Sequence, residues 1–350
     1  MAHLRVPYES LDPLTIGSAD DESKVYREEL ELEIADQNLL AAIYPEEPQP
    51  VADPTETARE ALANPVSGPS FRELIDGGKS VAIVIDNQFR PTPTSRLLPA
   101  LFDLLEDAGV TDACMITGNG KVFPLSEADI EKKVGRENLD RMERLGITLH
   151  QNEPRNEDAY TYLGVTSRGT PVWVHSEVTK RDVIISIGHA QANHWGYGGG
   201  GKLIMPGVCS DETIECNHCN FTMSPQTHYG ALAGPMRSDI DEVATIAGLD
   251  YTLNVLLDTR GRVLEIVGGP HPQAHRLAIE KFNGIYAYEN PVADKGQADI
   301  AICGVFAPTD HLFFHTGWGC MSSDFVLKDG GTIIYASPSP GVHTELGDFP

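Results

Sequence analysis

The sequence predicts an α/β protein: two α/β domains with mostly parallel sheets, joined by helices, with the functional site in the cleft between them. Three observations carry this. Short, nearly continuous apolar runs at 80–86 (SVAIVID) and 182–188 (DVIISIG) have the composition of parallel strands buried on both faces. Segments with helical apolar spacing alternate with them, which is the signature of strand–helix–strand units. A second such alternation, ADIAICGV at 298–305 and GTIIYASP at 331–338, comes late in the chain.

In order, residues 1–45 are acidic with short β-like pieces, and 46–69 are rich in Pro, Ala and Glu. That stretch reads as a linker with helix at ETAREALANP, ended by Pro65. After the 80–86 strand, PTSRLLPALFDLLEDAG (93–109) has helical spacing and a glycine, Gly109, at the C-cap position. DACMITG (112–118) is a strand, and SEADIEKKVG and RENLDRMERLG are helices. Residues 236–257 and 272–284 are expected to be helical and to join the halves, and 310–328 to be helical in part. The expected division is 1–255 for the N-terminal α/β domain, 256–290 for a helical linker region and 291–350 for a C-terminal α/β domain. The chain stops soon after the last strand, so that second domain is expected to be short or truncated.

With 51 acidic against 26 basic residues, the formal charge is −25. Such a surface repels nucleic acid and anionic membrane, so neither is an expected partner. Six cysteines in 350 residues are too few for a disulfide scaffold. The N-terminus lacks the apolar run of a signal peptide, and no window holds the roughly 18 apolar residues of a membrane helix. A cytoplasmic protein with reduced thiols is the expectation.

Ligands of open α/β sheets bind beyond the carboxyl ends of the strands. Three loops leave such ends: DNQFRPTPT, GNGKVFP and GHAQANHWGYGGGGK. The last continues as HWGYGGGGKLIMPG at 194–207, four consecutive glycines followed by Lys202. Gly196 to Lys202 has the G-x-x-x-x-G-K frame of a phosphate loop, but Leu203 replaces the magnesium-binding hydroxyl and Pro206 forbids a long helix there. Either a tight packing corner or a bulky ligand against bare backbone accounts for the glycines. Cys209, Cys216, His218 and Cys219 follow, a set that admits structural zinc although no second paired motif exists. A lone histidine on a metal already held by a cofactor is the other reading.

GYGGGGKLIMPG, the NH pair at 217–218, IDNQFRPTPTSRLLPALFDLLEDAGV, QNLLAAIYP (37–45), ANPVSGPSFRELI and GGTIIYASP occur in an order that resembles the nickel-dependent lactate racemase family and its 2-hydroxyacid racemase and epimerase relatives. The resemblance implies a nickel-pincer nucleotide, a pyridinium mononucleotide with two sulfur arms (pyridinium-3-thioamide-5-thiocarboxylic acid), bonded covalently to Lys202, with His218 as the protein's nickel ligand. It further implies that Gly199, Gly200, Asp86 and Asn87 border the cofactor, and that cofactor-synthesis enzymes are partners. The implied reaction inverts C2 of a small-molecule 2-hydroxy acid by moving hydride to and from the cofactor. Arg90 matches the family's arginine and is expected to clamp the carboxylate.

The departures fall on the substrate side. Asn87 stands where the family has aspartate, with Asp86 adjacent. No histidine follows TG at 117–118, so Lys121 is the nearest titratable substitute. His194 is the best match to the histidine before the glycine loop, with His189 as fallback. Phe314, His315 and Trp318 occupy places where the family has Tyr, Gln and a substrate lysine, and His311 lies four residues before His315. A substrate other than lactate is therefore expected, in a pocket lined by Trp318, His315 and Phe314. The alternatives are a non-catalytic cofactor- or ligand-binding homologue that has lost an acid/base group, and a zinc-stabilised domain without the cofactor.

Overall fold

The strand at 81–86 shows why the main sheet forms where it does. Val81, Ile83 and Ile85 enter one apolar core, while Ala82 and Val84 enter the core on the opposite face, and all five are fully buried. A strand covered by helices on both sides needs apolar residues at every position. The structure, a computed structural model, describes residues 1–7, 29–294, 296–304 and 313–337.

The described elements are β1 (Ala2–Pro7), β2 (Glu29–Ile34), α1 (Pro54–Ala63), α2 (Phe71–Leu74), β3 (Val81–Asp86), α3 (Thr94–Asp107), β4 (Ala113–Gly118), α4 (Glu127–Val134), α5 (Arg136–Leu145) and β5 (Thr148–Gln151). Next come β6 (Tyr160–Val165), β7 (Pro171–His175), α6 (Ser176–Thr179), β8 (Val183–His189), β9 (Ala192–Asn193), β10 (Gly196–Tyr197) and a 3₁₀ turn at Gly200–Leu203. The chain continues through α7 (Asp211–Phe221), α8 (Pro235–Ile246), β11 (Leu249–Leu257), β12 (Val263–Gly269), α9 (Gln273–Tyr286), β13 (Ala298–Gly304), α10 (Phe313–Asp324) and β14 (Leu327–Ala336).

The main sheet has six strands in the order β12-β11-β8-β3-β4-β5, parallel throughout except for the antiparallel edge strand β12. From β3 the chain steps outward to β4 and β5, then returns to place β8 on the other side of β3. The loops after β3 and β8 therefore leave adjacent strands in opposite directions and open a crevice between them. One carries Arg90, the other His194 and Lys202. This is the mostly parallel α/β architecture the sequence predicts, and β13, α10 and β14 form the second parallel strand–helix–strand unit.

Two expectations need correction. Helix was expected over 236–257, but α8 ends at Ile246, Gly248 takes a left-handed φ of 80°, and β11 follows as a strand fully inside the sheet. A short, mostly apolar run such as LNVLL does not by its period separate a buried strand from a buried helix. Residues 256–290, expected as a helical linker, instead contain the hairpin into β12, and helix is confined to α9. In addition, β1 packs beside β13, so the first strand of the chain lies with the late unit and not against the main sheet.

Candidate functional site

The loop after β3 is a fixed turn. The Asn87 side-chain oxygen accepts the Phe89 N–H at 3.1 Å, and the Arg90 N–H donates to the Asn87 carbonyl at 3.2 Å. Asp86 accepts the Thr92 hydroxyl and pairs with Lys133. Lys133, from α4, is 3% exposed and also donates to the carbonyls of Arg90 (3.0 Å) and Thr92 (3.2 Å). Burial pulls the Lys133 pKa down, and Asp86 opposes that pull. Asp86 and Asn87 are thus engaged in shaping this turn, and Lys133, which the sequence reading passed over, locks it. The turn presents the Arg90 guanidinium, 5.5 Å from the centre of the Trp318 ring.

The loop after β8 begins with a two-residue hairpin. Asn193 pairs with Gly196 and Ala192 with Tyr197, leaving His194 and Trp195 at the tip. The Asn193 side-chain oxygen accepts the Trp195 N–H at 2.9 Å, an Asx turn that sets the tip's conformation. The glycines that follow press against the protein itself. Gly199 and Gly200 have φ of 74° and 52°. A Cβ at Gly200 would lie 2.5 Å from His275 Cγ, and one at Gly201 3.0 Å from His271 Cε1. His275 Nε2 meets the Gly198 carbonyl at 2.7 Å, and the Asn254 side-chain oxygen accepts the Gly200 N–H at 3.0 Å. Bare backbone is required here because α9 and β11 approach so closely. Of the two readings the sequence allowed, a packing corner and a ligand against bare backbone, the packing corner is the one these contacts support.

The 3₁₀ turn then brings Lys202 back beside the hairpin tip. Its Nζ lies 4.9 Å from the centre of the Trp195 ring. The His218 ring, from α7, meets the same indole edge-on with centroids 4.0 Å apart, and His194 lies 4.1 Å from it. Lys202 and His218, sixteen residues apart, therefore flank one indole. Trp195 is the centrepiece of the cluster, and no periodicity or motif marked it in the sequence. Trp318 closes the other side: its Nε1–H donates to His194 Nδ1 at 2.7 Å. Among the described residues, the late strand–helix–strand unit thus contributes Trp318 to the site. Phe314 and His315 belong to α10, but their side chains lie outside the described residues, as does His311.

The electrostatics follow from burial among cations. Desolvation, then Arg90 and Arg237, hold the Lys202 pKa well below that of an ordinary lysine, so its amine is disposed to be uncharged. Desolvation followed by Lys202, Arg90 and His218 pushes His194 down to about 2. Desolvation followed by Arg90 and Lys133 takes His189 down to about 3, and desolvation followed by Lys202 and Lys121 takes His218 to about 3. All three imidazoles are neutral at neutral pH. Among the described residues neither ring nitrogen of His189 has a hydrogen-bond partner.

Lys121 is a correction. Its ammonium pairs with Asp211 and Glu215 of α7, each at 2.7 Å, and these partners outweigh desolvation to raise its pKa. A lysine held more firmly protonated is not a base near pH 7; here it ties the β4 loop to the helix that carries His218. The zinc reading also finds no support: among the described residues no three His, Cys, Asp or Glu side chains converge on a metal position, and Cys209 is buried in the core. Among the described residues no helix is long and apolar enough to cross a membrane.

Residues 26–230 match the family described as lactate racemase N-terminal domain. The chain is similar to the lactate racemase of Thermoanaerobacterium thermosaccharolyticum, 26% identical over 298 residues that span 83% of this chain and 67% of that one. Against the lactate racemase of Lactiplantibacillus plantarum it is 25% identical over 300 residues, spanning 84% and 68%. The fold resembles the lactate racemase apoprotein structure from T. thermosaccharolyticum, with a TM-score of 0.83 at 21% identity, covering 98% of this chain and 76% of that one. A Thermotoga maritima structural-genomics protein matches more weakly, with a TM-score of 0.59 at 20% identity over 73% of this chain and 64% of that one.

Proposed function

Because this chain belongs to the lactate racemase N-terminal domain family, we propose that it is a racemase or epimerase inverting C2 of a 2-hydroxy acid with a nickel-pincer nucleotide held at Lys202 and His218. The observation that carries the reading is the convergence of these two residues on the Trp195 ring. The donor set fits such a group. An amine uncharged through burial is nucleophilic and can be acylated, as covalent attachment at Lys202 requires. A neutral imidazole at His218 is a metal ligand. When bound, the cofactor supplies a hydride acceptor and donor for the substrate carbon.

The chain's own residues bind the acid and move its proton. Arg90, fixed by Asp86 and Lys133 through its turn, holds the substrate carboxylate. The Trp318 N–H occupies the Nδ1 lone pair of His194, so neutral His194 carries its proton on Nε2 and can donate a hydrogen bond that orients the substrate oxygen. His189, whose ring nitrogens have no partner among the described residues, offers the lone pair that accepts the hydroxyl proton. A carboxylate on Arg90 cancels part of the positive field that depresses both imidazoles, and so tunes them toward proton transfer only once substrate is bound. The imidazolium formed at His189 is the acid that returns that proton to the substrate oxygen. Trp318 stands where the resemblance places a substrate-binding lysine, which supports a substrate other than lactate with an apolar or aromatic side chain.

The test is chiral analysis of single enantiomers of several 2-hydroxy acids incubated with protein produced alongside the cofactor-synthesis enzymes. Inversion of at least one, faster than that of lactate, is expected. Protein that carries the cofactor yet inverts none of them would instead be a binding homologue.

A further inference from the structure

A metal-binding imidazole must present a lone pair, and which nitrogen keeps it is decided by the partner of the other nitrogen. The Nδ1 of His218 lies 3.1 Å from the side-chain oxygen of Asn217. Whether that Asn217 atom is oxygen or nitrogen is fixed by its other contact: the Asn217 amide nitrogen donates to an Asp239 carboxylate oxygen at 2.7 Å. A carboxylate only accepts, so the amide NH₂ must face it and the amide oxygen must face His218. Asp239 is held in turn by the Thr166 hydroxyl at 2.6 Å and the Thr170 hydroxyl at 2.8 Å, both from the β6–β7 hairpin. Asn217 and Asp239 are fully buried, as is Thr170, so water does not compete for these bonds.

We infer that Asp239 and Asn217 are positioning residues which lock His218 as the Nδ1–H tautomer and leave its Nε2 lone pair for the cofactor's metal. The inference rests on the proposed function for its metal and on this hydrogen-bond chain for its tautomer. Asp239, on α8, reaches His218, on α7, only through Asn217. A carboxylate at the end of the relay makes the imidazole more electron-rich, as a hydrogen-bonded outer partner does for other metal-binding histidines. Neither residue touches Trp195, Lys202 or Arg90 by any bond described above.

The experiment reads the tautomer directly, in the cofactor-free protein. Nitrogen-15 NMR of labelled protein at pH 7.5, with His218→Gln to identify the signals, should show a protonated, pyrrole-type Nδ1 and a pyridine-type Nε2. In Asp239→Asn the end of the relay can donate or accept, so the Asn217 amide is no longer held in one orientation and both tautomers should appear. Asn217→Ala, which keeps Asp239 and its threonine bonds, should lose the preference and show both tautomers; it serves if Asp239→Asn does not fold. A wild-type His218 protonated on Nε2, or a tautomer unmoved by Asn217→Ala, overturns the inference. Nickel retained per cofactor adduct, measured by intact mass and metal analysis, should fall about 10- to 100-fold in hold for the variants. Equal nickel retention in wild type and Asn217→Ala also overturns it. If wild type takes up no adduct at all, the proposed function fails while the NMR result still decides the relay.

Discussion

Gly200→Ala tests whether the glycine run exists for the protein's own packing. The residue's φ of 52° is left-handed, which costs an L-residue about 1–2 kcal/mol. Its Cβ would sit 2.5 Å from His275 Cγ, 2.7 Å from Cδ2 and 2.8 Å from Cβ, where carbon contacts normally lie at about 3.5–4.0 Å. His275 is 1% exposed and bound to the Gly198 carbonyl at 2.7 Å, so it has no open space to enter without losing that bond, worth about 1 kcal/mol. Overpacking of this kind costs about 1–3 kcal/mol, which brings the expected loss to about 3–6 kcal/mol. Gly146→Ala is the control. Gly146 ends α5 with φ of 69° and has nothing within 4 Å of its would-be Cβ, so only the backbone cost of about 1–2 kcal/mol applies. Urea unfolding of both variants measures the difference, and His275→Ala in the Gly200→Ala background should recover part of it through a favourable coupling. Equal losses at Gly200 and Gly146, or no coupling to His275, would refute the packing explanation.

Further expectations concern the charges around the site. Lys121→Arg keeps the ion pairs to Asp211 and Glu215 and should retain most turnover in steady-state assays; a collapse of turnover would restore Lys121 as a proton-transfer group. Lys133→Met leaves Asp86 buried without its cation and should cost about 3–5 kcal/mol by chemical denaturation, whereas a change under 1 kcal/mol would mean the pair does not hold the Arg90 turn. Buried His175, His189 and His275 have folded-state pKa values near 4, 3 and 3, below the unfolded value of about 6.5. Below pH 6.5 the unfolded chain binds protons that the folded chain does not, so stability present above that pH is lost as pH falls toward 4, by up to about 1.4 kcal/mol per pH unit for each. A denaturation midpoint flat from pH 7 to 5 would contradict this.

The sheet was legible in sequence where its physics is local. β3, β4 and β8 announce themselves because strands buried on both faces need apolar residues without a break. β11 has the same composition but follows a helix, and was absorbed into it. β12 was missed although a turn containing Gly261, φ 77°, stands before VLEIVGG as a hairpin signal. Lys202, His218, Arg90 and His194 were singled out through the family resemblance, and the fold brings them to the cluster around Trp195 and Trp318. Trp195 sits inside the same motif, yet nothing in one sequence distinguishes an indole at the centre of a cluster from one in a loop. Lys133 reads as a surface residue of an amphipathic helix, and only its packing under Asp86 shows otherwise. Asp239 and Asn217 lie 22 positions apart on different helices, a pairing that exists only once α7 and α8 have docked.

The most direct measurement is the intact mass of this protein produced together with the cofactor-synthesis enzymes. A covalent adduct is expected on wild type, absent from Lys202→Ala and present on Lys121→Arg. Wild-type protein of unmodified mass under those conditions, or an adduct that survives loss of the Lys202 amine, would contradict an anchor at Lys202 beside Trp195 and His218.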